Sequence, residues 1–343
     1  MLERHRHEKV ARFHARLMPL VDTKSEMGDP LADRSFSATP LKYIVQKLSP
    51  ENFERYAERE LARFAPLPQA EIERAVDEMR RPALFLDKTP TPDATGAAGC
   101  WLGGLPTLPA TVDWPWFRFG GADLVPMDFL AQINLAEWPR NPAFPQMPKQ
   151  GTLLFFAARL AYHAMHGVDG SPLCRVIYVP DDISDCAPRE MPQTPDLSTL
   201  PYAEEWAYHA RDITTDLLKR WNIGFHPFDD IDVPSGQEST VIWRAAHDAL
   251  SHITEPLGKR SAQKLRAATT NDDEDGTYAP LHQMFGCQNG GNTGSRNLLL
   301  AIENDDDRNL RDDDIEGFQF TFVNDAARAQ FDLSQVYLQA ESS

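Results

Sequence analysis

Residues 129–134 read Phe-Leu-Ala-Gln-Ile-Asn, and residues 298–303 read Leu-Leu-Leu-Ala-Ile-Glu. Each stretch is an apolar run that ends on Ile followed by a polar or acidic residue. After a polar loop, a glycine opens a second apolar run in both places, Gly-Thr-Leu-Leu-Phe-Phe from residue 151 and Gly-Phe-Gln-Phe-Thr-Phe from residue 317. Short apolar runs bounded by turn residues are typical of strands, so the doubled pattern predicts an internal repeat of strand–loop–Gly–strand units.

Further apolar runs extend both copies to three strands. The predicted strands are at about 128–134, 152–158 and 174–180 in the first copy, and at about 297–303, 317–323 and 335–339 in the second. From Trp101 onward, Gly, Pro and aromatic residues punctuate the chain, which is typical of antiparallel β structure. We therefore predict an α+β fold whose mainly antiparallel β core is built from two related halves, residues 129–180 and 297–339.

Helical periodicity marks two regions outside this core. An N-terminal region, residues 1–90, contains a helix with Pro50 at its first position and a second helix opened by Pro68, which Pro82 is expected to end. Between the two halves, apolar residues at helical spacing predict a long helix with one apolar face: Trp206, Ala210, Ile213, Leu217 and Trp221. The expected organisation is a helical region over 1–90 and a β-rich domain over 91–343 that carries a helical insertion at 203–278.

The chain is strongly acidic. Its 51 Asp and Glu residues outnumber 34 Lys and Arg residues, which gives a formal net charge of −17. Such a charge repels phosphate backbones, because nucleic-acid binding depends on Lys and Arg that displace counterions. We therefore expect no nucleic-acid partner, whereas a basic protein partner is electrostatically favoured. The alternative is that the acidity only keeps the protein in solution.

Cysteine usage and the N-terminus predict a cytoplasmic protein with no membrane association. The cysteines Cys100, Cys174, Cys186 and Cys287 are widely spaced without a C-x-x-C pair, which predicts reduced, mostly buried thiols. The first eight residues are charged and lack the apolar core of a signal peptide. No apolar run approaches the roughly 20 residues that a membrane-spanning helix needs.

Several short motifs follow one another in an order that points to a known family. They are Gly-Gly-Leu-Pro-Thr-Leu-Pro from residue 103, Trp-Pro at 114–115, the two runs at 129–137 and 151–156, His-Gln-Met-Phe-Gly at 282–286, the run at 298–307 and Phe-Asp-Leu-Ser-Gln-Val-Tyr from 331. This order resembles the YwqG-like family, a bacterial domain of unknown function, over about residues 66–343. The chain departs from the family at Gln288, where Pro is common, and at 312–317, where a Trp-Gly-Asp is replaced. The resemblance implies a fold and no established activity.

The acidic loop between the first two predicted strands of the second copy resembles a metal-binding loop in part. A calcium-loop template finds Asp305, Asp307, Asn309, Arg311, Asp313 and Glu316 at positions 1, 3, 5, 7, 9 and 12. Position 6 of that template needs a residue that tolerates positive φ, and Leu310 stands there, which excludes an EF-hand. Two interpretations remain open, a solvated acidic loop and a looser cation site built from Asp305, Asp307, Asp313 and Glu316.

Nucleophilic and phosphate-binding motifs give no catalytic assignment. The glycine pattern at 286–293 imitates a phosphate-binding loop, but Asn292 replaces the essential Lys and an apolar strand follows it. There is no Gly-x-Ser-x-Gly elbow. His282 is either a hydrogen-bonded structural histidine or a general base or ligand that pairs with a carboxylate of the repeat loops.

The candidate binding residues are therefore polar groups that end the repeated strands. Gln132 and Asn134 lie in the first copy, and Glu303 and Asp305 lie at equivalent places in the second. If the copies pack about a pseudo-twofold axis, these groups and His282 are expected to converge on one cleft.

Two functions follow from these patterns. The first is a non-enzymatic binding protein, in its sharpest form a cytoplasmic immunity protein that neutralises a basic bacterial toxin by direct contact. The alternative is a metal-assisted, hydrolase-like enzyme that uses His282 and the carboxylates of residues 303–316. No cofactor is predicted, and the oligomeric state is left open.

Overall fold

The computed structural model describes residues 68–90, 99–119, 123–140, 144, 146–158, 172–193, 220–231, 282–286, 297–303 and 317–341. The chain divides into two compact units, one of residues 1–79, 233–249 and 269–275, and one of residues 80–232, 250–268 and 276–343. Within the described ranges, no helix is both long and apolar enough to cross a membrane.

The described part of the first unit is the helix α1, Gln69–Met79, which confirms the predicted helix opened by Pro68. The Pro68 carbonyl accepts a hydrogen bond from the Glu71 amide at 2.8 Å, and Val76 and Met79 are buried. A strand begins at the next residue, Arg80. The prediction that residues 80–90 belong to a helical region was therefore wrong, and residues 1–67 lie outside the described residues.

The second unit is mostly antiparallel β structure. Its strands are β1 (Arg80–Pro90), β2 (Trp101–Gly103), β3 (Trp116–Phe119), β4 (Asp123–Pro126), β5 (Asp128–Asn134), β6 (Thr152–Ala157), β7 (Cys174–Val179), β8 (Arg220–Ile231), β9 (Gln283–Phe285), β10 (Leu298–Glu303), β11 (Gly317–Phe322) and β12 (Val336–Glu341). A short helix, α2 (Asp325–Gln330), and a 3₁₀ turn, Leu333–Gln335, connect the last two strands. Strands β3 and β4 form a separate hairpin, and the other ten form one sheet in the order β12-β11-β10-β9-β1-β8-β2-β5-β6-β7.

The ten-stranded sheet curls into a nearly closed barrel. Its two edge strands, β7 and β12, approach each other, and the Cys174 Sγ lies 3.7 Å from the Val336 carbonyl oxygen. Across the interior, the rings of Phe155 on β6 and Phe320 on β11 meet edge to face, with centroids 5.2 Å apart. Opposite ends of the linear strand order therefore share one core.

Side-chain alternation divides the buried residues between the two faces of the sheet. Alternate residues of β6 and β11 fill the interior: Leu153, Phe155 and Ala157, and Phe318, Phe320 and Phe322. A second cluster covers the opposite face of β2, β5, β6 and β7, and joins Trp101, Leu154 and Phe156 to Trp114, Phe117 and Val125. Trp114, Phe117 and Val125 belong to the segment that contains the β3–β4 hairpin. This segment therefore packs on the outer face of β2, β5, β6 and β7.

The predicted strands of both copies are confirmed within one or two residues. The runs β5-β6-β7 and β10-β11-β12 are both antiparallel meanders. Each also carries a register irregularity near the start of its first strand, between Phe129 and Ala131 in one run and between Leu298 and Leu300 in the other.

The described part of the predicted helical insertion is a strand instead. Residues 220–231 form β8, so the assignment of Trp221 to a helix face was wrong. Trp221, Ile223 and Phe225 pack on the interior core at a period of two, which is a strand period. Among the described strands, β2 pairs with β8 only over residues 220–222, so no described strand pairs with Pro227 on that side, which suits a residue without an amide proton. The rest of 203–278 lies outside the described residues.

Candidate functional site

A cleft of about 400 Å³ opens where β1 and β10 begin and β9 ends. We call it the arginine lobe, and it is lined by Arg80, Arg81, Pro82, Phe144, Phe285, Gly286, Leu298, Asp325 and Arg328. A second space of about 330 Å³, the apolar lobe, shares Phe144, Phe285 and Arg328 with it and adds Gln146, Met147, Ala329 and Phe331. Together the lobes form one two-part cleft.

Positive charge predominates in the arginine lobe. Among the described residues that line it are three arginines, two from the start of β1 and one from α2, and one carboxylate, that of Asp325. The Arg328 Nη2 lies 3.9 Å from the Asp325 Oδ1, and the Arg80 Nη1 lies 3.8 Å from the Asp229 Oδ2. Both separations are long for ion pairs between partly exposed side chains, and such pairs contribute little stability. This local charge contrasts with the net −17 of the chain.

Aromatic rings form the wall that the two lobes share. The Phe285 ring stacks on Phe144 with centroids 3.8 Å apart and planes 21° apart. Trp138 meets the same Phe285 ring edge to face at 5.2 Å. Because Phe285 is 2% exposed, its position is fixed by packing, whereas Phe144 is only partly buried.

Backbone strain is concentrated in the apolar lobe. Among the described residues, Phe285 (φ 58°) and Phe331 (φ 52°) are the non-glycine residues with positive φ, and both line this lobe. Phe331 is the C-terminal cap of α2, a position where the left-handed conformation usually selects glycine. The left-handed region costs a non-glycine residue about 1–2 kcal/mol. Such outliers occur preferentially at ligand sites.

A buried polar cluster lies directly beneath Gly286. The Gln283 Nε2 donates to the Asp230 Oδ2 and to the Phe285 carbonyl oxygen, both at 2.8 Å. Gly286 has φ +76°, and a Cβ placed there would lie 2.6 Å from both the Asp230 Oδ2 and the Gln283 Nε2. The glycine is therefore required both by its backbone conformation and by the close approach of this pair.

The polar residues predicted at the end of β5 serve local structure. Gln132 is fully buried, and its Oε1 accepts a hydrogen bond from the Thr107 amide at 2.9 Å, which anchors the segment that follows β2. No described residue is a hydrogen-bond partner of its Nε2. The Asn134 Oδ1 accepts from the Ala136 amide and its Nδ2 donates to the Glu137 Oε1, both at 3.0 Å, which shapes the turn after β5.

Of the other predicted site residues, His282 and the backbone of Glu303 are described, and neither is on a strand next to that of Gln132. His282 is 2% exposed and its carbonyl oxygen accepts from the Leu86 amide at 2.8 Å. The strand that follows His282, β9, is separated from β5 by three strands of the sheet. Glu303 ends β10, where it is in register with Gly317. The predicted ligands Asp305, Asp307, Asp313 and Glu316 lie outside the described residues, and the described ones contain no group of three potential metal ligands.

The cleft was not predicted from the sequence. Its lining comes from β1, from the segment after β5, from β9 and from α2, which are far apart in the sequence. The local signals were the Arg-Arg pair at 80–81 and the Met-Phe-Gly of the His282 element. Neither pattern indicates by itself which residues will meet.

The cysteines behave as buried structural thiols. Cys100 and Cys174 are buried and free, and Cys186 is half-buried and free. Burial, with the Glu137 carboxylate as a second cause, raises the pKa of the Cys100 thiol far above its ordinary value. Burial raises the pKa of Cys174 to about 12. Neutral thiols are poor nucleophiles, so neither residue suits nucleophilic catalysis.

A family model now gives the chain its place among known proteins. The model, described as a domain of unknown function (DUF1963), matches residues 101–339. The chain belongs to the DUF1963 family. The match begins at β2 and ends within β12, so the DUF1963 region contains both three-strand runs and most of the cleft, whereas Arg80 and Arg81 precede it. Comparison with curated proteins gives no match.

Proposed function

We propose that this protein is a non-enzymatic binding protein and, in the sharpest form of the proposal, a cytoplasmic immunity protein that neutralises a basic bacterial toxin by direct contact. The observation that carries the proposal is the β3–β4 hairpin, which holds two large apolar side chains in solvent on an acidic chain. Trp116 is 38% exposed and Leu124 is 48% exposed. Exposed aromatic side chains on a rigid support are frequent energetic anchors of protein interfaces.

The hairpin is anchored firmly enough to present such a surface. Phe117 and Val125, which are opposite each other in the ladder, are both 2% exposed and pack in the second core cluster. Alternation then turns Trp116, Arg118 and Leu124 to the other side of the hairpin. The anchor residues therefore need little ordering on binding, which lowers the entropic cost of association.

The charge of the chain supports a basic partner. A net charge of −17 accelerates the encounter with a positively charged protein and makes the association rate fall with salt. The net charge affects mainly the association rate, whereas the contacts made by the hairpin affect mainly the dissociation rate. The two contributions can therefore be measured separately.

The test is to co-express this protein with each toxin-like protein found to be encoded near its gene, and to measure whether the cells are rescued and whether the two proteins bind. Trp116→Ala is expected to abolish rescue and to weaken binding at least about 30-fold, the effect of losing a hot-spot residue. Tyr337→Ala is the matched control, since Tyr337 is an aromatic residue with 37% exposure on β12. Equal losses in both variants, or binding that does not depend on Trp116, would refute the assignment of this surface.

The alternative, a metal-assisted enzyme, would use His282 and the carboxylates of residues 303–316. His282 is buried next to β9, and the side chains of those carboxylates lie outside the described residues. Metal retained after purification, and its loss in an Asp305→Asn/Asp307→Asn double variant, would favour this alternative.

We also propose that the barrel consists of two related halves, β8-β2-β5-β6-β7 and β1-β9-β10-β11-β12. The strand order supports this, because it pairs β8 with β1, β2 with β9, and each later strand with its counterpart at the same distance from the centre. Matching hydrogen bonds join the Ile223 amide to the Cys100 carbonyl at 3.0 Å and the Leu86 amide to the His282 carbonyl at 2.8 Å. Since β1 precedes β2 in the chain but lies beside β9, the halves would have exchanged their first strands.

The finer assignments of the sequence analysis extend this proposal. We propose that the family relationship includes the YwqG-like proteins whose motif order the chain resembles, and that the parts of 203–278 outside β8 form a helical insertion. The match of a family model to residues 101–339 supports the first of these.

A further inference from the structure

We propose that the two-lobed cleft binds a small molecule in which a carboxylate or phosphate group is attached to a planar apolar body. The arginine lobe would take the anionic group and the apolar lobe the body. The cleft shares no residue with the β3–β4 hairpin, so this proposal stands or falls independently of the immunity function.

The arginine lobe has the charge that an anion needs. Guanidinium groups bind carboxylate and phosphate oxygens through paired N–H donors. Arg80, Arg81 and Arg328 supply three such groups around about 400 Å³, and Asp325 is the only carboxylate among the described residues that line the lobe. The contact between Arg328 and Asp325 spans 3.9 Å, and Asp325 is 78% exposed, so this pair contributes little to holding the Arg328 guanidinium in place.

The apolar lobe has the surface that a ring or short hydrocarbon needs. Phe144 and Phe331 are partly buried and provide aromatic surface, the buried Phe285 ring supports Phe144, and Met147 adds a flexible, polarisable side chain that adapts to a ligand's shape. Arg328 lines both lobes. A ligand whose anionic group meets Arg328 therefore has its body beside the Phe144–Phe285 stack.

Size and strain point to a small molecule. The lobes of about 400 and 330 Å³ have the dimensions of ordinary small-molecule sites. Phe285 and Phe331 both keep a left-handed backbone there, although glycine would relieve it. Two strained residues that border one cleft are typical of a binding site, where the buried Phe285 ring would hold Phe144 in place.

The experiment is calorimetric titration of the full chain with four probes: phenyl phosphate, benzoate, inorganic phosphate and phenol. Phenyl phosphate or benzoate is expected to bind at least about tenfold more tightly than inorganic phosphate or phenol, because only the first two engage both lobes. The stronger of the first two identifies the anion. The proposal is overturned if none of the four binds at concentrations up to about 10 mM.

Variants locate the binding within the molecule. Arg328→Gln and Arg81→Gln are each expected to weaken binding of the better aromatic anion about tenfold or more, the effect of one charge-assisted hydrogen bond. Arg118→Gln, which removes the same charge from the exposed face of the hairpin, is the control and should change affinity less than twofold, because exposed distant charges are screened. Equal losses in Arg118→Gln and the cleft variants would overturn the proposal.

The aromatic wall is tested separately. Phe144→Ala should weaken binding of the aromatic anion about tenfold and leave inorganic phosphate unaffected, since the phosphate meets only the arginines. Circular dichroism melting of each variant identifies any that fails to fold, and Arg81→Gln and Phe144→Ala then replace Arg328→Gln as the deciding variants. Parallel losses for the aromatic anion and for inorganic phosphate in Phe144→Ala would overturn the two-lobe assignment.

Discussion

Phe156 on β6 and Thr321 on β11 occupy corresponding positions in the two three-strand runs, yet their surroundings differ in chemistry. Both are fully buried. Phe156 meets Trp114 and Phe129 edge to face in an apolar layer. On β11, Gln319 and Thr321 form a buried polar layer where β6 has Leu154 and Phe156. The face of the sheet opposite the barrel interior is therefore apolar at β6 and polar at β11.

The loops after β2 and β9 repeat the contrast. Gly103 and Gly104 have φ of 65° and 69°, and Phe285 and Gly286 have φ of 58° and 76°. The side with two glycines adopts this conformation without strain, whereas the side with Phe285 retains strain and borders the cleft. The two loops have similar backbone conformations and different side chains, and the loop with Phe285 is the one that borders the cleft.

The largest expected effect comes from the apolar layer. Phe156→Ala should lower the free energy of unfolding by about 3–5 kcal/mol, because it removes a fully buried ring and leaves a cavity between Trp114 and Phe129. Urea denaturation followed by tryptophan fluorescence measures this change. Thr321→Ala at the corresponding position should cost less than about 1.5 kcal/mol, since it removes much less apolar volume. Similar losses in the two variants would remove the energetic basis of the comparison.

The paired glycines should come next. Gly286→Ala is expected to cost about 2–4 kcal/mol, because its Cβ would lie 2.6 Å from the Asp230 Oδ2 and the Gln283 Nε2, in addition to the left-handed penalty. Gly104→Ala is the matched control with φ +69°, and its Cβ would meet the Arg220 Cβ at 3.0 Å. We expect about 1–2 kcal/mol there, close to the backbone penalty alone. A smaller loss for Gly286→Ala than for Gly104→Ala in thermal melting would contradict the close-approach argument.

Much of the barrel was predictable from the sequence. The runs around residues 129–134 and 298–303 have apolar segments of strand length, and Gly151 and Gly317 mark the next strands, so these β-strands were identified nearly to the residue. Strands β1 and β8 were missed because each contains prolines, which argue against a strand within a sheet. Pro82 was interpreted as the end of a helix. Trp221 was assigned to a helix because it follows apolar residues at helical spacing, but it lies in strand β8.

The candidate site was not predictable for a different reason. Gln132 and Asn134 were identified as polar strand ends, but the hydrogen bonds that occupy them, to the Thr107 amide and within the turn at Ala136, depend on tertiary structure. The cleft arises only when β1, β9 and α2 meet. Arg81 and Arg328 lie nearly 250 positions apart in the numbering, and no local pattern joins them.

Alkaline pH should weaken the seam where β7 of one side meets β12 of the other. Burial raises the pKa of Cys174 to about 12 in the folded protein, so the folded thiol keeps its proton at pH values where the unfolded one has lost it. The contribution is fully present below the unfolded pKa near 8.5 and is lost as pH rises toward 12, by up to about 1.4 kcal/mol per pH unit. Urea titrations between about pH 8 and pH 10.5 should therefore give a falling free energy of unfolding.

Cys174→Val is the variant that assigns this slope, because valine has a similar volume and no ionisable proton. It should make the alkaline loss shallower by up to about 1.4 kcal/mol per pH unit and leave stability at pH 7 within about 1 kcal/mol. Cys100 contributes in the same direction and remains in the variant. An unchanged slope in Cys174→Val would show that the seam does not hold a protonated thiol.

The smallest effect, and the most direct test of the polar layer, is Thr321→Val. The Thr321 Oγ1 is fully buried and has no hydrogen-bond partner in the described part of the chain, so the isosteric valine should raise the free energy of unfolding by about 1 kcal/mol. Val176→Thr, which buries a new hydroxyl on the interior face of β7, is the opposite change and should cost about 1–3 kcal/mol. If Thr321→Val instead destabilises the protein, the hydroxyl has a partner, and the polar face of β11 is a satisfied network that the folded state needs.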